Sequence, residues 1–248
     1  MSGHNKWANI KHKKAAQDAK RSKLFSRLSK EIQIAVKEGG ADPSANPRLR
    51  MAIQNARAAN MPKANIEKAI YKGEHDPNSL EEVTFEGYAA GGVALFLECM
   101  TDNNNRTVSN VRAIFNKYNG SMGKKGSLSF VFARKGSFII PEEKIPDKEE
   151  FELEMIDAGA EDIEFIDGKA MITTSFEDYG NMQKKLEELG IEPESAELVR
   201  VPLTTVKVDA ETAKKVLKMI EAFEDLDDVQ NVFHNMELTE EIEQLLTK

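Results

Sequence analysis

IEFIDGKAMITTSFEDYGNMQKKLEELGIEPESAELVRV, residues 163–201, changes its hydrophobic period twice. Ile163–Ile166 and Ala170–Thr174 are short apolar runs on either side of Asp167-Gly168, a dipeptide suited to a tight hairpin turn. Residues 177–189 then carry apolar side chains at helical spacing, and Ala196–Val201 returns to a strand. Upstream, Phe138–Ile140 reads as a short strand and residues 149–158 as a helix. The order β-α-β-β-α-β is ferredoxin-like.

Further out on both sides lies a second α+β pattern. Val83–Ala89 and Val93–Met100 read as strands around Ala90-Gly91-Gly92. Asp102–Asn105 opens a helix carrying Val108, Val111, Phe115 and Tyr118 on one face, and a glycine-rich loop, Gly120–Gly126, leads to an expected strand Leu128–Phe132. After residue 203 come a strand Val206–Val208, a helix Ala210–Phe223, a strand Val229–Phe233 and a short helix over 239–247. These are expected to complete the sheet begun at Val83. The expected division is therefore a discontinuous α+β domain, 76–135 plus 204–248, with the ferredoxin-like unit 136–203 inserted in it.

Residues 1–75 read as a basic arm and a three-helix bundle. Leu24, Phe25, Leu28, Ile32, Ala35 and Val36 share one helical face, which Gly39-Gly40 stops. A second helix carries Leu49, Ala52, Ile53 and Ala56, and a third, opened by Pro62, carries Ile66, Ala69 and Ile70. Residues 11–21 offer only Ala15, Ala16 and Ala19 as an apolar face, too little area to dock firmly on a core. Residues 74–82 read as a linker. The fold class is thus α+β multidomain.

Charge divides the chain. Residues 1–75 hold 16 Lys/Arg against 6 Asp/Glu, whereas residues 76–248 hold 18 against 36. The net charge of −8 averages a cationic end and an anionic body. Such an end draws phosphate polymers and the body repels them. Lys6, Lys11, Lys13, Lys14, Lys20, Arg21, Lys23, Arg27 and Lys30 are the expected nucleic-acid contacts, with Trp7 either stacking on a base or anchoring in a core. Nothing in this stretch matches a helix-turn-helix or zinc finger, so no base-specific readout is expected.

Two further segments are candidates for a second contact. Asn105, Arg106 and Thr107 follow Asp102 at a helix start, where short polar side chains cap free N–H groups and where an anion could also sit. Lys124 and Lys125 lie in the glycine-rich loop, whose spacing fails as a phosphate-binding loop because Lys125 stands where Ser or Thr is needed. Glu221, Glu224, Asp225, Asp227 and Asp228 read as a solvated helix end, with a cation-dependent enzyme as the remote alternative. His4, His12, His75 and His234 lack metal-ligand spacing, and the single cysteine, Cys99, allows no disulfide within the chain. No hydrolase, zincin or dinucleotide motif is present. No catalysis, cofactor, metal or small-molecule substrate is expected, and oligomeric state is left open. Without an apolar leader in MSGHNKWANIKHKK or a bilayer-length apolar run, the expected location is the cytoplasm.

Several stretches together resemble the YebC family. They are Gly3–His12 (GHNKWANIKH), Lys14–Arg21 (KAAQDAKR), Asn46–Arg50 (NPRLR), Ala59–Lys63 (ANMPK), Phe85–Tyr88 (FEGY), Thr101–Asn103 with Asn105–Thr107, and Asp225–Val232 (DLDDVQNV). The resemblance implies a helical first domain, two α+β domains and a non-catalytic role in gene expression. Bacterial members are commonly labelled DNA-binding transcriptional regulators. Similar mitochondrial proteins act as translational activators of cytochrome c oxidase, and bacterial members have been linked to relieving stalled ribosomes. The basic arm and Asn105-Arg106-Thr107 carry over. Lys124-Lys125 departs from the small or polar pair usual in that loop. Transcription on DNA and translation on ribosomal RNA both remain open from the sequence.

Overall fold

The computed structural model describes residues 18–77 and 79–246, with side chains from 21 to 244. The helical unit comprises α1 (Asp18–Gly39), α2 (Pro47–Ala58) and α3 (Lys63–His75). Then come β1 (Glu81–Tyr88), β2 (Ala94–Thr101), α4 (Asn104–Lys117), β3 (Ser121–Met122), β4 (Phe132–Pro141), α5 (Lys148–Asp157), β5 (Ala160–Ile166) and β6 (Lys169–Ser175). The chain closes with α6 (Tyr179–Glu188), β7 (Ser195–Pro202), α7 (Ala210–Glu224), β8 (Val229–His234) and α8 (Glu240–Leu246). The protein is α+β, with a helical N-terminal unit and two antiparallel four-stranded sheets.

The three helices bury Ile32, Ala35, Val36, Leu49, Ala52, Ile53, Ala56, Met61, Ile66 and Ala69 against one another. Asn46 fixes the turn between α1 and α2. Its Oδ1 accepts from the Leu49 N–H at 3.0 Å while its Nδ2 donates to the Ala35 and Gly40 carbonyls at 2.7 and 2.8 Å. Gly73 lets α3 close onto α1, since a Cβ there would stand 2.8 Å from the Gln33 carbonyl oxygen.

The first sheet has the order β3-β1-β2-β8. The chain leaves it after β3, builds the whole second sheet, and returns with β8 beside β2. Helices α4 and α7 cover one face, where Leu95, Leu97, Val111, Phe115, Val216, Met219, Ile220, Phe223 and Val232 form the core. The second sheet has the order β5-β6-β4-β7 with every neighbour antiparallel, the ferredoxin-like arrangement. Its core gathers Phe138, Ile140, Phe151, Met155, Ala170, Ile172, Met182 and Leu186.

Three expected strands are redrawn. Leu128–Val131 lies in turns, and β4 runs unbroken from Phe132 to Pro141. Arg134, Lys135 and Gly136, which break the apolar pattern, sit inside β4 because it is a central strand, paired on one side with β7 and on the other with β6. Two ladders of backbone hydrogen bonds outweigh the missing alternation. Gly136 is required there, since a Cβ would come within 2.3 Å of Thr174 Oγ1. Ser121–Met122, inside the expected loop, pairs with the end of β1. Val206 makes a single bridge to Met236, not a strand.

The three units meet around a cleft of about 990 Å³. Met51 of α2 enters the core of the second sheet, and Asn55 exchanges two hydrogen bonds with the Ala196 backbone at 2.9 and 3.1 Å. Arg48 of α2 joins α1 to β1 through Glu31, Glu38 and Glu82. Arg200 on β7 pairs with Glu98 on β2 at 2.9 Å and lies 3.9 Å over the Phe96 ring.

His234 ends β8 in this interior, and its Nδ1 accepts from the Met236 N–H at 3.1 Å. Burial pushes its pKa down to about 4. The unfolded chain takes up a proton below about pH 6.5, and the folded state resists doing so until its own lower value is reached. Stability should therefore fall between about pH 6.5 and 4, by roughly 3 kcal/mol. A His234→Asn variant should show a flatter acid limb in melting temperature against pH. An unaltered limb would mean that His234 is not the buried neutral group.

Candidate nucleic-acid interface

The basic positions on α1 follow from its geometry. Lys23, Arg27 and Lys30 are spaced by four and three residues, so they share a stripe beside the apolar face. The structure places that stripe against the acidic turn after α7. Lys23 Nζ lies 3.1 Å from Asp225 Oδ1. Arg27 Nη2 donates to the Glu224 carbonyl at 2.8 Å. Lys30 Nζ donates to the Met100 and Asp227 carbonyls at 3.0 and 2.8 Å and lies 3.2 Å from Asp228 Oδ1. The carbonyl end of α7 carries the negative pole of the helix dipole, and the carboxylates beyond it add to that field. Three cations from α1 offset both.

The expectation that residues 221–228 form a solvated helix end thus needs correction at Asp228, which is only 7% exposed. Arg106 Nη2 donates to both of its oxygens at 3.0 and 2.9 Å, and the Thr107 hydroxyl donates to Oδ2 at 2.8 Å. Burial alone would raise this carboxyl, but the hydrogen bonds from Arg106, Thr107 and Lys30 outweigh it and hold the group below its ordinary value. Arg106 also pairs with Asp102 at 2.7 Å. Asn103, not Asp102, caps α4, accepting from the Arg106 N–H at 3.1 Å. The helix start where an external anion could also have sat therefore pairs with an internal one, and of the three candidate residues Asn105 and Arg106 are exposed while Thr107 is buried.

Of the other expected contacts, Arg21 is exposed, lies 5.4 Å over the Phe25 ring and makes no ion pair with a described residue. Lys6, Trp7, Lys11, Lys13 and Lys14 lie outside the described residues, as does the side chain of Lys20. Lys124 and Lys125 are exposed and make no ion pair among the described residues.

The loop bearing those lysines is organised by a residue that the sequence did not single out. Glu86 on β1 is 3% exposed. Its carboxylate accepts from the backbone N–H groups of Gly126 and Leu128 at 2.7 and 2.6 Å and from the Ser127 hydroxyl at 3.4 Å. A buried carboxylate is tolerated because charge-assisted donors surround it. Glu86→Ala should leave those donors unpaired, cost about 2–4 kcal/mol and speed amide exchange over 124–130. Protection equal to the parent chain would mean that the loop is held by other contacts. Among the described residues, no group of His, Cys, Asp or Glu is placed to hold a metal ion, and no helix is long and apolar enough to cross a membrane.

A helical unit whose cationic side is partly spent on an acidic turn, joined to two antiparallel four-stranded sheets, defines a multidomain α+β protein. Two family descriptions match in register with these units. "TACO1/YebC protein N-terminal domain" covers residues 5–76 and "TACO1/YebC second and third domain" covers residues 80–236. The chain belongs to the TACO1/YebC family. A "Probable transcriptional regulatory protein" of Amoebophilus asiaticus is 54% identical over 95% of this chain and 98% of its own. One of the same name from Thermotoga maritima is 49% identical over 100% of this chain and 99% of its own. The crystal structure of a conserved hypothetical protein from Aquifex aeolicus matches with a TM-score of 0.81 at 45% identity, covering 90% of this chain and 93% of that one. The Amoebophilus and Thermotoga relatives are thus named as probable regulators of transcription.

Proposed function

We propose that this protein is a non-enzymatic, nucleic-acid-binding regulator of gene expression that acts in the cytoplasm and grips phosphate polymer through its basic N-terminal arm. The observation that carries this reading is the charge division, 16 Lys/Arg against 6 Asp/Glu in residues 1–75 and 18 against 36 beyond. Because Lys23, Arg27 and Lys30 are docked on the acidic turn, the contact surface proposed is formed by the residues before them. These are Lys6, Lys11, Lys13, Lys14, Lys20 and Arg21, with Lys124 and Lys125 as a second point.

Two targets are compatible with that surface. The relatives' name favours duplex DNA and transcription. The chemistry of the arm favours structured RNA and the ribosome, because lysines read backbone and shape rather than base edges. Crosslinking in cells, followed by sequencing of both bound DNA and bound RNA, separates them. The RNA reading expects enrichment of ribosomal or messenger RNA without a recurrent DNA site. Recovery of discrete promoter sequences alone would overturn it in favour of transcription.

A further inference from the structure

Phe130 is 89% exposed, more than any other large apolar side chain among the described residues. It is not at the end of a loose loop. Its neighbours Leu128 and Phe132 are buried between the two sheets, where they pack with Phe96, Val199 and Phe233. Val131 is tied at its N–H to the Leu128 carbonyl at 3.0 Å and at its own carbonyl to the Leu203 N–H at 2.8 Å. Glu86 fixes the other side by holding Gly126 and Leu128. The backbone around Phe130 is therefore anchored on both sides, and the ring is held out in water. Leu203, tied to that backbone, is 63% exposed.

On the same loop, six and five residues before Phe130, stand Lys124 and Lys125, both exposed and free of ion pairs among the described residues. Two uncommitted cations on an otherwise acidic body are complementary to a polyanion. A single exposed aromatic face on the same loop matches the chemistry of an unpaired nucleotide, in which the base stacks on the ring and the flanking phosphates meet the ammonium groups. A duplex keeps its base faces covered by neighbouring pairs. An unstacked base is what loops, bulges and ends of RNA present. We infer that the loop 124–130 is a contact for single-stranded RNA, with Phe130 stacking on one base and Lys124 and Lys125 on adjacent phosphates. This rests on the proposed nucleic-acid function and adds to it a second, base-stacking point on the other side of the molecule's charge division.

The test uses the full chain and its Phe130→Ala, Phe130→Trp and Lys124→Ala/Lys125→Ala variants. Each is titrated by fluorescence anisotropy over a range of salt against an unstructured RNA of mixed sequence and against the matching RNA duplex. Phe130→Ala should weaken single-strand binding about ten-fold or more with no change in the slope of log affinity against log salt. Phe130→Trp should retain it, and duplex binding should change little. The lysine pair should lower the slope by about 1.4. Equal single-strand affinity for Phe130→Ala and the parent chain overturns the inference while leaving the arm's role intact. So does an equal loss on single strand and duplex. A parent chain that binds neither RNA overturns the inference together with the RNA reading of the proposed function.

Discussion

Replacing Lys11, Lys13, Lys14 and Arg21 together with alanine is expected to weaken binding to nucleic acid by roughly two to three orders of magnitude at physiological salt. Each phosphate contact contributes about 0.7–0.9 to the slope of log affinity against log salt, so losing four should flatten that slope by about 2.8–3.6. Arg21 stands over Phe25 with its guanidinium unpaired by any described carboxylate, which leaves it available to a phosphate. The contrast lies within the next nine residues of α1. Lys23, Arg27 and Lys30 are already bonded to Glu224, Asp225, Asp227 and Asp228. Their replacement should lower the melting temperature and leave the salt slope nearly untouched. A quadruple variant whose slope equals that of the parent would remove the arm from the contact surface.

Asp228→Ala is expected to be the most damaging single change at the junction of the helical unit and the first sheet. The carboxylate joins Lys30 of α1 to Arg106 and Thr107 of α4. Removing it leaves the Lys30 ammonium in a half-buried site without its carboxylate, and turns the Thr107 hydroxyl to Thr101 Oγ1 or the Asn103 carbonyl, 2.8 and 3.1 Å away. The expected cost is about 2 kcal/mol, kept at the low end because Arg106 is half exposed and water screens its share. The hydrogen bonds hold this carboxyl below its ordinary value, so its contribution is present above the unfolded value of about 3.9 and disappears as pH falls through the folded one. Urea midpoints should therefore separate the variant from the parent at neutral pH and draw together as pH falls below the ordinary carboxylate value. Equal midpoints at neutral pH would show that the network holds nothing.

The ferredoxin-like unit was legible because residues 163–201 announce it locally, through a turn dipeptide between two apolar runs and a clean helical period. Breaks of pattern misled. Leu128-Ser129-Phe130-Val131-Phe132 alternates like a strand, yet its first four residues fold as turns, with the N–H groups of Leu128 and of Gly126 just before it held by the carboxylate of Glu86, some 40 residues earlier in the chain. Arg134-Lys135-Gly136 looks like an interruption and is the middle of a central strand, since hydrogen bonding to two neighbours does not register in side-chain pattern. Of the candidate site, total charge was legible and its distribution was not. Composition shows that α1 is basic and that residues 221–228 are acidic, but not that the two meet across about 200 positions of chain. That pairing divides the cations into those that hold the fold and those left for a ligand. Phe130 carried no sequence signal, because only burial distinguishes a strand phenylalanine from one held out in water.

The most direct measurement is binding of the purified full-length chain to DNA, RNA and ribosomes at physiological salt, repeated as salt is raised. The account expects binding to at least one of these polymers, with log affinity falling linearly as log salt rises. A chain that ignored all three, or bound with an affinity indifferent to salt, would contradict it.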